Sequence, residues 1–318
     1  MHRTSVIVPT YKRPDELRVC MESLVQQTMP PDEILVVDDG DLDNIPSRTE
    51  AEHRGIRCRH LHKDEPGLTE SRNKGIAEST GDIVFFFDDD VKLFPDYIER
   101  VMDVYQKDPD HRIGGVGGNV INTKPMSLPR LLRYAMDLPS GISGLKEGRV
   151  LRSGFCTDFG STPFPLRSVE VVEFLPGAAF SFRREVFTRH KFQPGFRDVA
   201  LGEDKDFSIR VGRDYKLLFH PEARLYHYES DVMRPAKRDW GRKHINGHYL
   251  IFRRYMKTQP LDWLFFWYAV LLYLAERSII AAAQLDHAQL QHVQGGFDAL
   301  FNILRGELGT GGREDEEG

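Results

Sequence analysis

Cysteine is scarce in this chain. Its three cysteines, Cys20, Cys58 and Cys156, are far apart and odd in number. They make neither a disulfide framework nor a cysteine-based zinc cluster, and a reducing compartment is expected. No G-x-G-x-x-G follows the first apolar segment, which argues against a dinucleotide-dependent dehydrogenase. The glycine run Gly114–Gly118 lies elsewhere and reads as close packing within a strand. Neither sign of charge dominates: 43 Lys and Arg face 48 Asp and Glu, for a net charge of −5. No global basic field therefore points to nucleic acid. The opening Met1-His2-Arg3-Thr4 runs directly into a strand-like segment, without the apolar stretch and small-residue cleavage site of a signal peptide, so a cytoplasmic location is expected. No internal repeat is evident.

What is present is apolar material in short, dense runs. Of the 318 residues, 40% are hydrophobic, enough for one large α/β domain with a smaller appendage. Ser5–Pro9, Glu33–Val37 and Asp82–Phe87 are continuous apolar runs of the kind that form parallel strands covered on both faces. Between them, Asp15–Gln27 and Thr69–Ser79 read as helices, the first with Leu17, Cys20, Met21, Leu24 and Val25 on one face. Strand and helix alternating in this way predict an open, mostly parallel, Rossmann-like sheet flanked by helices. Residues 125–167 are rich in Gly, Pro and Ser and read as loops and short helices. The sheet is expected to resume with Val169–Phe174, Ala178–Phe182 and Tyr215–Phe219. Arg234–Lys257 is basic and helical in pattern, Trp263–Ala283 is strongly apolar, and 306–318 is an acidic, Gly-rich tail expected to be disordered. The expected domains are 1–230 (in two halves, 1–123 and 124–230), then a C-terminal helical region 231–305, then the tail.

The segments that follow the three apolar runs carry the chemistry. They are Thr10-Tyr11-Lys12-Arg13, Asp38-Asp39-Gly40 and Asp88-Asp89-Asp90. Ligands of open α/β sheets bind beyond the carboxyl ends of the strands, so three segments would bring carboxylates and an arginine to one edge. Adjacent carboxylates repel one another, and a hard divalent cation that also takes phosphate oxygens would relieve the repulsion. A solvated turn serving the next helix is the plainer reading of the triplet, and an ordinary Asp-Gly turn the plainer reading of Asp38–Gly40. Arg72 can pair with phosphate or orient an acid, or sit on a solvated helix face. In Gly202-Glu203-Asp204, the carboxylates can serve the helix dipole, or one can act as a general base toward an acceptor hydroxyl. His227, at the end of a strand pattern, can be a metal ligand or a structural histidine.

Together the stretches Ser5–Arg13, Glu33–Gly40, Ser71–Asp90, Leu175–Phe187 and Gly202–Arg210 resemble glycosyltransferase family 2, over about the first 230 residues and in the expected order. The resemblance implies a GT-A fold and an inverting transfer of sugar from a nucleotide-diphosphate sugar, with Mn²⁺ or Mg²⁺ as cofactor. It implies Pro9, Tyr11, Arg13, Asp39, Arg72, Asp88 and Asp89 around the nucleotide. Asp88 and Asp90 match the ends of the family's D-x-D motif, giving Asp90, Asp88 and His227 as metal ligands. Asp204 matches the catalytic base, with Glu203, Gly177 and Ala178 at the sugar and acceptor. Two departures stand out. Asp41 replaces the usual Ser or Thr after Asp-Asp-Gly, and Arg238-Asp239-Trp240 lacks the Q-x-x-R-W of processive synthases, so addition of single sugars is expected.

The acceptor is left open between a glycan and a lipid-linked carrier. Trp263–Ala283 holds thirteen apolar or aromatic residues, then Glu276-Arg277, then SIIAAA. That pattern suits interfacial attachment, with Trp263, Trp267 and Tyr268 at headgroup level and the basic stretch from Arg234 to Lys257 meeting anionic lipid. A core or homodimer-forming helix and a true span stay open. Two other function classes share some of these features. A sugar-1-phosphate nucleotidyltransferase would carry a Gly-rich loop where this chain has Pro9–Arg13. A non-catalytic nucleotide-sugar binder would not need Asp204.

Overall fold

The computed structural model describes residues 2–194, 196–230 and 236–308. Part of the expected basic stretch (Arg234) and most of the acidic tail lie outside the described residues. In chain order the elements are β1 (Thr4–Thr10), α1 (Pro14–Val25), β2 (Glu33–Asp38), α2 (Arg48–His53), β3 (Arg57–His62), α3 (Leu68–Glu78), β4 (Ile83–Phe87), β5 (Val91–Leu93), α4 (Tyr97–Gln106) and β6 (Ile113–Val120). There follow α5 (Leu128–Ser140), β7 (Arg149–Val150), β8 (Cys156–Thr157), β9 (Glu170–Val172), β10 (Ala179–Arg183), α6 (Phe196–Val199), α7 (Glu203–Val211), β11 (Lys216–His227), α8 (Lys237–Ile251), α9 (Asp262–Gln284) and α10 (His287–Arg305). They fall into two compact units, one of Met1–Pro125, Pro165–Gln193 and Asp204–Val232, the other of Met126–Phe164, Pro194–Glu203 and Met233–Gly318.

The first unit is a nine-stranded mixed sheet with the order β3-β2-β1-β4-β10-β6-β11-β5 and β9 beside β11. β1, β2 and β4 are buried along their whole length; their centres are apolar runs covered on both faces, and the buried Glu33 that opens β2 accepts from the Ser5 hydroxyl at 2.6 Å. They pair in parallel with one another, and β2 with β3. β10 then enters antiparallel between β4 and β6, a placement that apolar patterning alone does not dictate. α1 starts on Pro14 with Asp15 and Glu16 in its first turn, which suits the helix dipole. The glycines of β6 do admit close neighbours: a Cβ on Gly118 would lie 2.3 Å from the Tyr97 ring, and one on Gly115 2.7 Å from Phe182.

The second unit is mainly helical. The 125–167 stretch is more ordered than its composition suggests, with the 13-residue α5 and the β7–β8 hairpin. α8 continues into a π-helical turn, Phe252–Met256. The apolar stretch 263–283 is part of one 23-residue helix, α9, which by length and composition could cross a membrane. One face of it, through Phe266, Ala269, Val270, Tyr273 and Leu274, belongs to the unit's own core with Phe155, Ile245, Phe252, Ala299 and Ile303. Glu276, which interrupts the apolar run, bonds to Arg133 of α5 at 2.8 Å. α8 and α10 approach backbone to backbone: a Cβ on Gly241 would come within 1.9 Å of the His292 carbonyl oxygen, and one on Gly295 within 1.7 Å of that of Arg238. Any larger side chain must push these helices apart. Gly295→Val is accordingly expected to destabilise the protein by about 3 kcal/mol, read by denaturant unfolding; an unchanged midpoint would show that the helices part freely.

Candidate active site

β1 ends at Thr10, β2 at Asp38 and β4 at Phe87, and since the three run parallel, the residues after them emerge at one edge. The chain passes from β1 outward to β2 and β3, then returns to β4 on the other side of β1. Such a reversal of strand order opens the crevice in which α/β sheets bind ligands. The Thr10 hydroxyl bridges it, donating to Asp89 Oδ2 at 2.8 Å. Arg13 reaches Asp89 Oδ1 at 3.2 Å and Asp90 at 3.7 Å.

Asp39, 8% exposed, is held from several sides. It accepts hydrogen bonds from the Ser71 hydroxyl at 2.6 and 2.8 Å and from the Gly67 amide at 2.9 Å, and Lys63 lies 3.4 Å away. Ser71 and Arg72 are neighbours on α3, so the same helix turn fixes Asp39 and presents the arginine. Arg72 is only 1% exposed. Its guanidinium donates to Asp88 Oδ1 and to the Gly177 carbonyl, both at 3.2 Å. It also lies 5.1 and 5.3 Å from the Phe180 and Phe192 ring centroids. A guanidinium taken out of water needs such partners, charged and aromatic together.

The antiparallel strand β10 brings in the next pair. Ala179 stands opposite Phe87, and the Asp88 amide donates to the Ala178 carbonyl at 3.1 Å. Gly177 and Ala178 thereby lie alongside Asp88. Asp204, on the first turn of α7, packs against Gly177 so closely that a Cβ there would sit 2.5 Å from Asp204 Oδ2. Glycine at this position is what leaves room for the carboxylate.

The last component is His227, opposite Val91 in the pairing of β11 with β5. Its Nε2 lies 3.0 Å from Asp90 Oδ1. Asp88, Asp90 and His227 each offer a ligand atom within 4.8 Å of the others. Two carboxylates and an imidazole form a donor set suited to a divalent cation such as Mn²⁺, so the residues present fit a metal. Asp90 is also held by the Ser230 amide at 2.9 Å, while the Ser230 hydroxyl donates to Glu16 at 2.7 Å.

The three consecutive aspartates have different environments. Burial pushes the Asp89 carboxyl up to about 7, against the opposing pull of Thr10 and Arg13. Burial acts the same way on Asp90, but the His227 hydrogen bond, the Ser230 amide and Arg13 outweigh it and leave the group below its ordinary value. Burial would lower His227, but Asp90 and Asp88 overcome it and raise the imidazole.

Of the residues expected at the site, Arg13, Asp39, Arg72, Asp88, Asp89, Asp90, Gly177, Ala178, Asp204 and His227 are thus linked within the first unit. Pro9 holds the last-but-one position of β1, opposite Val37. Tyr11 lies just beyond the strand with the Lys12 ammonium 5.3 Å from its ring. Glu203 opens α7 directly before Asp204 and falls in the second unit. Thr10 was read only as part of its segment, and Lys63, Ser71 and Ser230 were given no role at the site. Thr10 and Ser71 stand inside recognisable motifs, whereas nothing local in the sequence marks Lys63 or Ser230.

Residues 5–161 match the family described as Glycosyl transferase family 2. The chain carries a family 2 glycosyltransferase domain. Among curated relatives, it is 30% identical over 195 residues to EpsH of Bacillus subtilis, named as a glycosyltransferase, covering 58% of this chain and 56% of that protein. It is 34% identical over 123 residues to the glucosyl-dolichyl phosphate glucuronosyltransferase of Haloferax volcanii, covering 37% of this chain and 38% of that protein. The chain thus spans about half the length of these relatives or less. The mannosyltransferase PcManGT from Pyrobaculum calidifontis, solved in complex with GDP-Man and Mn²⁺, superposes with a TM-score of 0.57 at 17% identity, over 95% of this chain and 88% of that one. The GT-A fold of the family 2 domain is established by this likeness.

In that fold Ser71 is a small residue on which a buried carboxylate depends. Ser71→Ala would remove both hydroxyl contacts to Asp39 and is expected to cost about 1–3 kcal/mol, measured by urea unfolding. A variant as stable as the parent would mean that Gly67 and Lys63 suffice.

Proposed function

We propose that this chain is an inverting, divalent-metal-dependent glycosyltransferase. It transfers one sugar from a nucleotide-diphosphate sugar to an acceptor hydroxyl or phosphate on a glycan or a lipid-linked carrier. On this reading residues 1–230 are the catalytic domain, on the cytoplasmic side, and 231–305 its helical appendage. The observation that carries the proposal is the connection from Arg72 to both Asp88 and the Gly177 carbonyl, with Asp204 pressed against Gly177. It sets a carboxylate beside the cationic and acidic groups that would hold a diphosphate.

Pro9, Tyr11, Arg13, Asp39 and Asp89 would border the nucleotide, with Asp39 accepting from base or ribose. Asp88, Asp90 and His227 would hold the cation, which would offset the charge of the diphosphate when bound. Arg72 adds a fixed positive charge facing the leaving group, and such preorganised charge helps more as charge develops on departure. Asp204 would take the acceptor proton as the new glycosidic bond forms, with Glu203, Gly177 and Ala178 shaping the sugar and acceptor side. A base attacking from the face opposite the leaving nucleotide gives inversion at the anomeric carbon, by the same reasoning as in inverting hydrolysis. The lipid-linked option draws support from the Haloferax relative, whose name contains glucosyl-dolichyl phosphate. Among proteins of the fold, PcManGT was solved with GDP-Man and Mn²⁺, a pairing of the chemistry proposed here.

Asp204→Asn is expected to bind donor normally and to transfer sugar about 100- to 10,000-fold more slowly, measured by donor titration and by product formation. Turnover close to that of the parent would remove Asp204 from the mechanism and revive the reading of a mere binder. Release of pyrophosphate from a nucleoside triphosphate would favour a nucleotidyltransferase instead.

Metal binding should depend on pH with a defined sign. His227 ligates only as the neutral imidazole, and its pKa is raised by Asp90 and Asp88. Mn²⁺ affinity is therefore expected to rise as pH climbs through that raised value and to weaken below it. Asp90→Asn should abolish most of the binding, and a chelator should abolish activity until Mn²⁺ or Mg²⁺ is restored. Calorimetric titration at several pH values reads the first effect; an affinity indifferent to pH would exclude His227 as a ligand.

A further inference from the structure

The apolar helix α9 has two faces with different fates. Its inner face lies in the core of the second unit, as described above. Its outer face presents Leu264, Phe265, Tyr268, Leu271, Leu272 and Ile279, between 37% and 69% exposed. These positions follow the 3.6-residue period, so they form one stripe along a helix about 34 Å long. Neither acidic residue of α9 interrupts it: Asp262 is buried and accepts from Arg152 at 2.5 Å and from the Gln259 amide at 2.6 Å, and Glu276 is bonded to Arg133. α10, which packs beside α9, exposes Leu290, Phe297, Phe301 and Leu304 as well. A continuous apolar surface of this extent marks a docking face.

The charges around it identify what docks. Arg253, Arg254 and Lys257 are exposed in the turn that leads into α9. Lys257 lies 5.3 Å from the ring centroid of Trp263, which stacks on Trp267. Cations and indole rings at the rim of a charge-free apolar stripe match the layered chemistry of an anionic membrane surface: acyl chains below, aromatic residues at the boundary, phosphates above. We infer that α9 lies in the plane of an anionic lipid bilayer, with its outer stripe in the acyl boundary and Arg253, Arg254 and Lys257 at the headgroups. It does not span the bilayer, because spanning would expose the Asp262 and Glu276 bonds to hydrocarbon and strip Phe266, Val270 and Tyr273 from the core they build. Where the chain resides is independent of which sugar it moves.

The test uses the full chain and two vesicle preparations, phosphatidylcholine alone and equal parts of phosphatidylcholine and phosphatidylglycerol. The wild type should co-sediment with the anionic vesicles, with Trp fluorescence quenched by brominated acyl chains, and alkaline carbonate should release it. Leu264→Glu combined with Leu271→Glu should reduce partitioning by roughly tenfold or more, with an unchanged thermal melt. Ile279→Glu serves as a second probe of the stripe should the pair unfold. Arg254→Glu with Lys257→Glu should remove the preference for phosphatidylglycerol. Absence of vesicle binding by the wild type overturns the inference, as does binding indifferent to glutamates on the stripe. Retention after carbonate overturns the in-plane orientation. A vesicle-free dimer that the same glutamates dissociate, with no lipid binding, would give the face to a second copy of the chain.

Discussion

The candidate site depends on keeping one positive charge in a place with almost no access to water. Arg72 is buried, and a bare guanidinium there would be prohibitive to desolvate. What makes it tolerable is a set of partners from three directions: the Asp88 carboxylate at the end of β4, the Gly177 carbonyl before β10, and the Phe180 and Phe192 rings. Phe192 is itself stacked on Phe207 at 4.1 Å, so the guanidinium rests on an aromatic assembly drawn from several elements. Planarity and fixed charge matter in that position, and a lysine would match neither the rings nor the forked contacts. The same contacts tie α3, β4 and β10 together, so the charge is a structural junction of the site.

Asp88, Asp89 and Asp90 show how environment separates chemically identical side chains. Asp89 points toward Thr10 and Arg13 and is the most strongly discouraged from ionising, because burial outweighs its partners. Asp90 keeps its charge because His227, Ser230 and Arg13 compensate for burial. Asp88 faces Arg72. The triplet is thus three separate positions in an electrostatic field rather than a uniform acidic patch.

Much of this could be read from the sequence, for a specific reason. β1, β2 and β4 are unbroken apolar runs followed at once by polar residues, and a parallel sheet converts that adjacency into spatial convergence. Thr10–Arg13, Asp38–Gly40 and Asp88–Asp90 were therefore predictable as one edge. Other features depend on contacts that no local pattern encodes. β10 is as apolar as the parallel strands, and only its neighbours make it run the other way. β11 runs as one strand of 12 residues through a register shift between Phe219 and Arg224, where the sequence reads as two patterns, one ending at Phe219 and one at His227. Ser230 is an unremarkable serine until the chain returns to Asp90 and Glu16. The Gly- and Pro-rich stretch looked irregular, yet α5 forms there because its Pro129 lies in the first turn, Pro139 comes near the end, and Gly141 closes it with a φ of 72°. For the strands and for Ser230 the missing information lay in tertiary neighbours; for α5 it lay in where its prolines and closing glycine fall along the helix.

The interleaving of the two units along the chain has consequences for biosynthesis. As the polypeptide emerges from the ribosome, every strand of the large sheet has been made once His227 appears. The hairpin that carries Phe155 has by then been waiting since long before, because the helices that enclose this ring, α8, α9 and α10, are translated only after the strands. Nascent chains of intermediate length therefore hold a finished sheet alongside apolar surface that has no cover yet. Such surface is vulnerable to aggregation and is the usual client of chaperones. Truncation within α8–α10 would leave the strands intact and still release a sticky, half-assembled molecule.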